Sequence, residues 1–180
     1  LEVVAAAVVG GVAIFGGSGT VYGAAKRPGD VAVASVHWGG NWGYGIEPEQ
    51  RAAARTLVDG GADVVHGHSS HHPRPMEAYR GRLVLYGCGD LINDYEGIPG
   101  GEDYRGDLRL LYLVSLDPGT GAFTGLRMVP LRARRMRLER AGTADARWLQ
   151  ETLDRISRGL GVRVRREPGD AMAASPAAQA

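Results

Sequence analysis

One cysteine, Cys88, is all that the 180 residues contain, which excludes an intrachain disulfide and leaves stability to packing or to a metal. Lysine is nearly missing as well: Lys26 stands alone beside twenty arginines. The arginines are scattered along the chain, so the skew reads as coding bias before it reads as function. Charge of one sign does not accumulate either; the formal net value is +1, and the totals call for neither nucleic acid nor an anionic membrane. No apolar run reaches the ~20 residues of a membrane-spanning helix. The longest, VVAAAVVGGVAIF at residues 3–15, has no basic stretch before it of the kind that opens a signal peptide. A buried strand pair or a fragment edge is expected there, and the compartment stays open between cytoplasm and cell envelope. The glycine-rich GGVAIFGGSGTVYG that overlaps it lacks the lysine of a P-loop and the full spacing of a dinucleotide fingerprint.

What is present reads as one α/β domain over residues 1–165, followed by a disordered tail at 166–180 whose EPGDAMAASPAAQA offers little to bury. VAVASV at 31–36 is apolar on both faces and suits a covered central strand. EPEQRAAARTLVDGG then predicts a helix of about three turns, with Pro48 in its first turn and Gly60 and Gly61 as its stop. ADVVHG follows as a second buried strand, so residues 31–66 form a strand, helix, strand crossover of a parallel sheet. Further strands are expected at 76–79, 82–87 and 108–116, and AFTGLRMVPLRARRMRLER continues as one long or two short strands. Its arginines fit a solvated strand face; the alternative is a polyanion-binding module over residues 127–140. TADARWLQETLDRISRGL predicts an amphipathic helix with Thr143 as its cap and Leu149, Leu153, Ile156 and Leu160 on one face. VRV is a candidate last strand.

The chemistry concentrates in ADVVHGHSSHHPRP, which holds four of the five histidines within seven positions. Neutral imidazole is a common ligand for zinc, iron and manganese. His68 and His71 lie three apart on a short Ser-Ser loop, and the crossover brings His37 to the same carboxyl edge of the sheet, where open α/β folds bind ligands. This makes His37, His68 and His71 a candidate metal set. Asp90, Asn93 and Asp94 follow another strand and are candidates to add oxygen ligands or to orient imidazoles. The competing reading is that these histidines are structural. His72, followed by Pro73, and His66, inside the strand, are expected to be structural, and Cys88 to be a small buried residue. Trp38 and Trp42 either floor a pocket or pack the loop. A serine nucleophile at Ser69 or Ser70 is disfavoured, because the G-x-S-x-G elbow is absent.

The succession VASVHWGGNWGY and PEQRAAARTLVDGGADVVHGHSSHHPRPMEAYRGRLVLYGCGDLINDYEGI, within roughly residues 29–130, resembles the bacterial CapA family tied to capsule and poly-γ-glutamate synthesis. That resemblance implies the fold of calcineurin-like metallophosphoesterases, a layered α/β/β/α sandwich with a dinuclear metal site at the sheet edges. It implies one or two divalent ions (Mn, Fe or Zn), with His37, His68 and His71 as ligands and Asp90, Asn41, Asn93, Asp94 and His72 around them or against substrate. The implied reaction is metal-dependent hydrolysis of a phosphoester or amide; the alternative is a non-catalytic component of a polymer synthesis or export assembly, and nucleic acid is not an expected partner. Asp90 replaces the family's asparagine, Asn41 stands where many members have glutamate, and two serines separate the paired histidines. The family's Gly-Asp strand end and its Asn-Asn-His motif have no match in residues 1–30, so the chain is expected to be the carboxyl-terminal half of the domain, incomplete at its amino end.

Overall fold

A computed structural model describes residues 6–8, 30–93 and 100–177. Most of the apolar stretch at 3–15 lies outside the described residues, as does Asp94. Two sheets form the frame. The first holds four parallel strands and one antiparallel strand, and the second holds five antiparallel strands.

In the first sheet β1 (Ala6–Val8), β2 (Val31–His37), β3 (Val64–His68) and β5 (Arg82–Leu85) are parallel, and β4 (Met76–Tyr79) returns antiparallel to β5. The helix α1 (Pro48–Asp59) makes the crossover between β2 and β3. Pro48 opens it where a missing N–H costs nothing. At its other end the Gly60 N–H bonds back to the Thr56 carbonyl at 2.8 Å, and Gly61 takes a φ of 104° that suits glycine. Leu57, Val58 and Ala54 of α1 lie on Val36, Val65, Val84 and Tyr86, which closes one face of the sheet. This apolar contact holds β2 and β3 in place, with His37 and His68 as their last residues.

The second sheet is antiparallel: β6 (Leu108–Leu116), β7 (Phe123–Arg134), β8 (Arg137–Arg140), β9 (Val162–Arg166) and β10 (Met172–Pro176). Its inner residues Leu110, Leu126, Met128, Val162, Val164 and Met172 meet Leu83, Leu85 and Met76 of the first sheet. The helix α2 (Thr143–Ser157) places Leu149 and Leu153 in that same core, with Ile156 beside them. Thr143 is not its cap: Gly142 holds that position, and the Thr143 hydroxyl donates to Asp170 at 2.8 Å.

The expected disordered tail at 166–180 is corrected by the structure. Met172 through Pro176 pair with β9 on one side, and Met172 through Ala174 with β7 on the other, so β10 is an inner strand. Met172 and Ala174 are buried. Small residues with one methionine carry a weak hydrophobic signal, but a strand between two others satisfies its backbone groups on both edges and needs little more to be held.

Candidate functional site

Parallel register sets Ser35 beside His66 and His37 beside His68. Side chains alternate along a strand, so these four residues share the face opposite α1. The rings of His37 and His68 meet edge to face with centroids 5.2 Å apart, and those of His66 and His68 stack at 5.5 Å. The Ser35 hydroxyl lies 3.0 Å from Nδ1 of His66 and 3.5 Å from Nδ1 of His68. Burial lowers the pKa of His66, and His68 beside it adds to the effect. Burial also lowers His68, helped by His37 and partly opposed by the His66 backbone. Both imidazoles are therefore neutral at pH 7, the form that offers a lone pair.

The loop behind this ledge is tied to the first strand end. The Trp38 N–H donates to the His68 carbonyl at 3.1 Å, and the Ser69 hydroxyl donates to the Trp38 carbonyl at 2.7 Å. Ser69 itself has a φ of 125°, a left-handed conformation that non-glycine residues rarely hold and that tends to collect at functional loops.

That turn redirects the chain, and His71 ends up with the loop after β5. Its Nδ1 lies 2.9 Å from Oδ2 of Asp90, the same oxygen that accepts from the Asn93 amide at 3.0 Å. Arg109, almost fully buried, brings Nη2 to 3.8 Å from this carboxylate oxygen and donates from Nη1 to the His71 carbonyl at 3.4 Å. Asn41 contributes its backbone, the carbonyl accepting from the His71 N–H at 3.1 Å, while its side chain is exposed.

His72 has no exposed surface. It is stacked on Tyr104 at 4.7 Å and on Trp42 at 5.8 Å, with Tyr44 edge-on at 5.0 Å. Its Nδ1 lies 3.0 Å from the Pro73 carbonyl, and burial pulls its pKa down to about 4. Trp42 is thus loop packing, and His72 holds the loop from within. Burial pushes the Cys88 thiol up to about 12, which makes it a packing residue with little thiolate.

A divalent ion is a fair test of the ledge. The donor chemistry suits it: the imidazoles of His37 and His68 side by side, and a third imidazole backed by a carboxylate, as histidine ligands commonly are. The donor number does not. Among the described residues no group of three or more His, Cys, Asp or Glu stands where it could hold one ion. The fold brings His37 and His68 together and joins His71, Asp90 and Asn93 in a second cluster.

Three contributors escape a reading of the sequence alone. His66 shares the ledge because it lies two residues before His68 on the same strand, a period-two signal that was available. Ser35 joins only through the register of β2 with β3, and Arg109 only through the placing of β6; neither carries a local mark.

Residues 20–95 match the family described as bacterial capsule synthesis protein PGA_cap. The chain is similar to a probable polyglutamine synthesis accessory protein of Mycobacterium tuberculosis, 56% identical over 153 residues that make up 85% of this chain and 40% of that protein. It is also similar to the PGA biosynthesis protein CapA of Bacillus subtilis, 36% identical over 39% of this chain and 18% of that one. The capsule biosynthesis protein CapA of Bacillus anthracis is 32% identical over 38% and 17%. The chain covers 40% of the length of the first of these relatives and less than a fifth of the other two.

Proposed function

Over residues 20–95 the chain is a member of the bacterial capsule synthesis family, and from that premise we propose that it serves the making of a glutamyl capsule polymer through a metal-dependent hydrolytic site. The similarity to a polyglutamine synthesis accessory protein over most of the chain supports the first half of this reading. The observation that carries the second half is the His37 and His68 pair, whose ring centroids lie 5.2 Å apart at neighbouring parallel strand ends. In this reading the two sheets belong to a metallophosphoesterase-like sandwich, and His37 and His68 supply two of the donors.

Each residue has a distinct task. Ser35 engages the Nδ1 atoms of His66 and His68, which orients the rings. The strained Ser69 holds the loop against Trp38 and so fixes the backbone of His68. Asp90 fixes the His71 ring and favours its protonated Nδ1, leaving Nε2 as the acceptor; Asn93 and Arg109 hold Asp90 in place. A divalent ion, when bound, would supply Lewis acidity toward a phosphoester or amide.

Metal content by inductively coupled plasma mass spectrometry tests this. Purified protein should carry an ion that is lost in the double variant His37→Ala, His68→Ala, with folding checked by circular dichroism. Metal-free protein after growth in manganese, iron and zinc would refute the metal site. A second reading, a non-catalytic accessory role in a polymer assembly, is favoured by the relative's name as an accessory protein. Retained metal with no turnover of phosphoesters or glutamyl amides would select it.

A further inference from the structure

We propose that the hairpin of β7 and β8 is a gripping element for an anionic polycarboxylate chain, the glutamyl polymer of the reading above, on which this inference rests. Residues 132–140 read RARRMRLER, five arginines against one glutamate. Arg132 is committed within the fold, to Asp107 at 3.0 Å and Asp145 at 3.6 Å. Arg134, Arg135, Arg137 and Arg140 are exposed.

The hairpin breaks two local rules to present them. Arg134 and Arg137 are direct cross-strand partners, and like charges placed opposite each other destabilise a ladder. Arg135 and Met136 form the two-residue turn with φ of 50° and 59°, a primed turn in which asparagine and glycine are strongly preferred. A solvated strand face has no reason to crowd cations around a strained turn. An anion placed between them would relieve the repulsion, and such departures from local consistency tend to gather at functional sites.

The site favours carboxylates on a flexible chain. Guanidinium groups bind carboxylates in two-pronged fashion. RARRMRLER contains no aromatic residue on which a base could stack, whereas single-stranded nucleic acid sites combine cations with such platforms. The net charge of +1 denies the chain the broad basic field that duplex binders use. The hairpin also springs from the candidate site: Leu131 at its base pairs with Arg140 on one side and with Arg109 on the other, and Arg109 reaches the His71 carbonyl. The base of the hairpin is thereby tied to the histidine loop through Arg109.

The test is fluorescence anisotropy with labelled poly-γ-glutamate at low and at physiological salt. The variant Arg134→Gln, Arg135→Gln, Arg137→Gln is compared with Arg147→Gln, Arg155→Gln, Arg165→Gln, which removes the same charge from exposed positions elsewhere. The hairpin variant should bind about tenfold more weakly or worse, with a shallower salt dependence, and the control variant within about twofold of wild type. Equal weakening of both variants would overturn the assignment to the hairpin while leaving polymer binding intact. Single-stranded DNA of matched charge binding as tightly as the polymer would overturn the carboxylate assignment. No binding of poly-γ-glutamate by the wild type would overturn the inference altogether, and metal content would still decide the histidine site on its own.

Discussion

Glu77 on β4 is the residue whose removal should most disturb the seating of α1. Its carboxylate is buried, yet it accepts from the Tyr86 hydroxyl at 2.5 Å, from Arg55 at 2.7 Å and from Arg51 at 3.3 Å. Those two arginines belong to α1, so the carboxylate ties the helix to the sheet. Breaking a buried ion pair by deleting one partner costs about 3–5 kcal/mol. Here the arginine side chains are 37% and 41% exposed and recover water, which places Glu77→Ala near the lower end, about 3 kcal/mol. Much of that loss comes from Tyr86, fully buried, whose hydroxyl would be left without an acceptor at about 1–3 kcal/mol. Tyr86→Phe should cost less, about 1 kcal/mol, because it removes the buried donor along with the bond. Burial alone would raise the Glu77 carboxyl, but the bonds from Tyr86, Arg55 and Arg51 overcome it and hold the pKa below its usual value. A depressed folded-state pKa stabilises above the unfolded value and loses that contribution as pH falls through the folded one. Urea unfolding followed by tryptophan fluorescence from neutral pH into the acid range reads both effects. The acid loss should be smaller in Glu77→Gln than in wild type. A Glu77→Ala midpoint within about 0.5 kcal/mol of wild type at neutral pH would refute the network's role.

Three further changes follow from geometry. Gly67→Ala should unfold the loop or the domain, since a Cβ there would stand 2.7 Å from the Leu85 and Tyr86 carbonyl oxygens and strike the Trp38 indole; a wild-type melting curve would contradict it. Ser157→Ala strands the buried N–H of Met76, which now donates to the Ser157 hydroxyl at 3.0 Å, and should lower stability by about 1–2 kcal/mol in urea titration. Replacing Arg135 with Asn and Met136 with Gly gives the hairpin its preferred turn and should raise stability by roughly 1 kcal/mol while Arg134 and Arg137 remain; an unchanged melting temperature would show that the turn is unstrained.

Where sequence and structure agree, the signal was local and doubly marked. The first crossover could be read because Pro48 and Gly60 punctuate α1 and because two apolar runs flank it. The amphipathic α2 could be read from Leu149, Leu153 and Ile156, although its cap could not: Thr143 has the right chemistry one position too late. β10 stayed hidden because MAASP carries one large apolar side chain, and its place between β7 and β9 is a property of the ladder and not of the segment.

The histidine cluster shows why a list of ligand-type residues underdetermines a site. Spacing along the chain put His68 and His71 together and left His66 out. In three dimensions the strand period joins His66 to His68, and the turn at Ser69, with its φ of 125°, carries His71 away to Asp90. Strand register, that turn and the aromatic loop packing thus divide five histidines into a ledge, a carboxylate-backed imidazole and a buried packing residue. A divalent ion that used both the ledge and His71 would have to draw the two clusters together across this turn. The rigidity of Ser69, tied to the Trp38 and Gly39 carbonyls at 2.7 and 3.1 Å, therefore bears directly on metal affinity. Ser69→Gly would relax that turn at little steric cost. Because Ser69 also fixes the backbone of His68, the variant should bind the ion more weakly than wild type in a metal titration; binding at least as tight would show that the turn acts only to hold His71 away from the ledge.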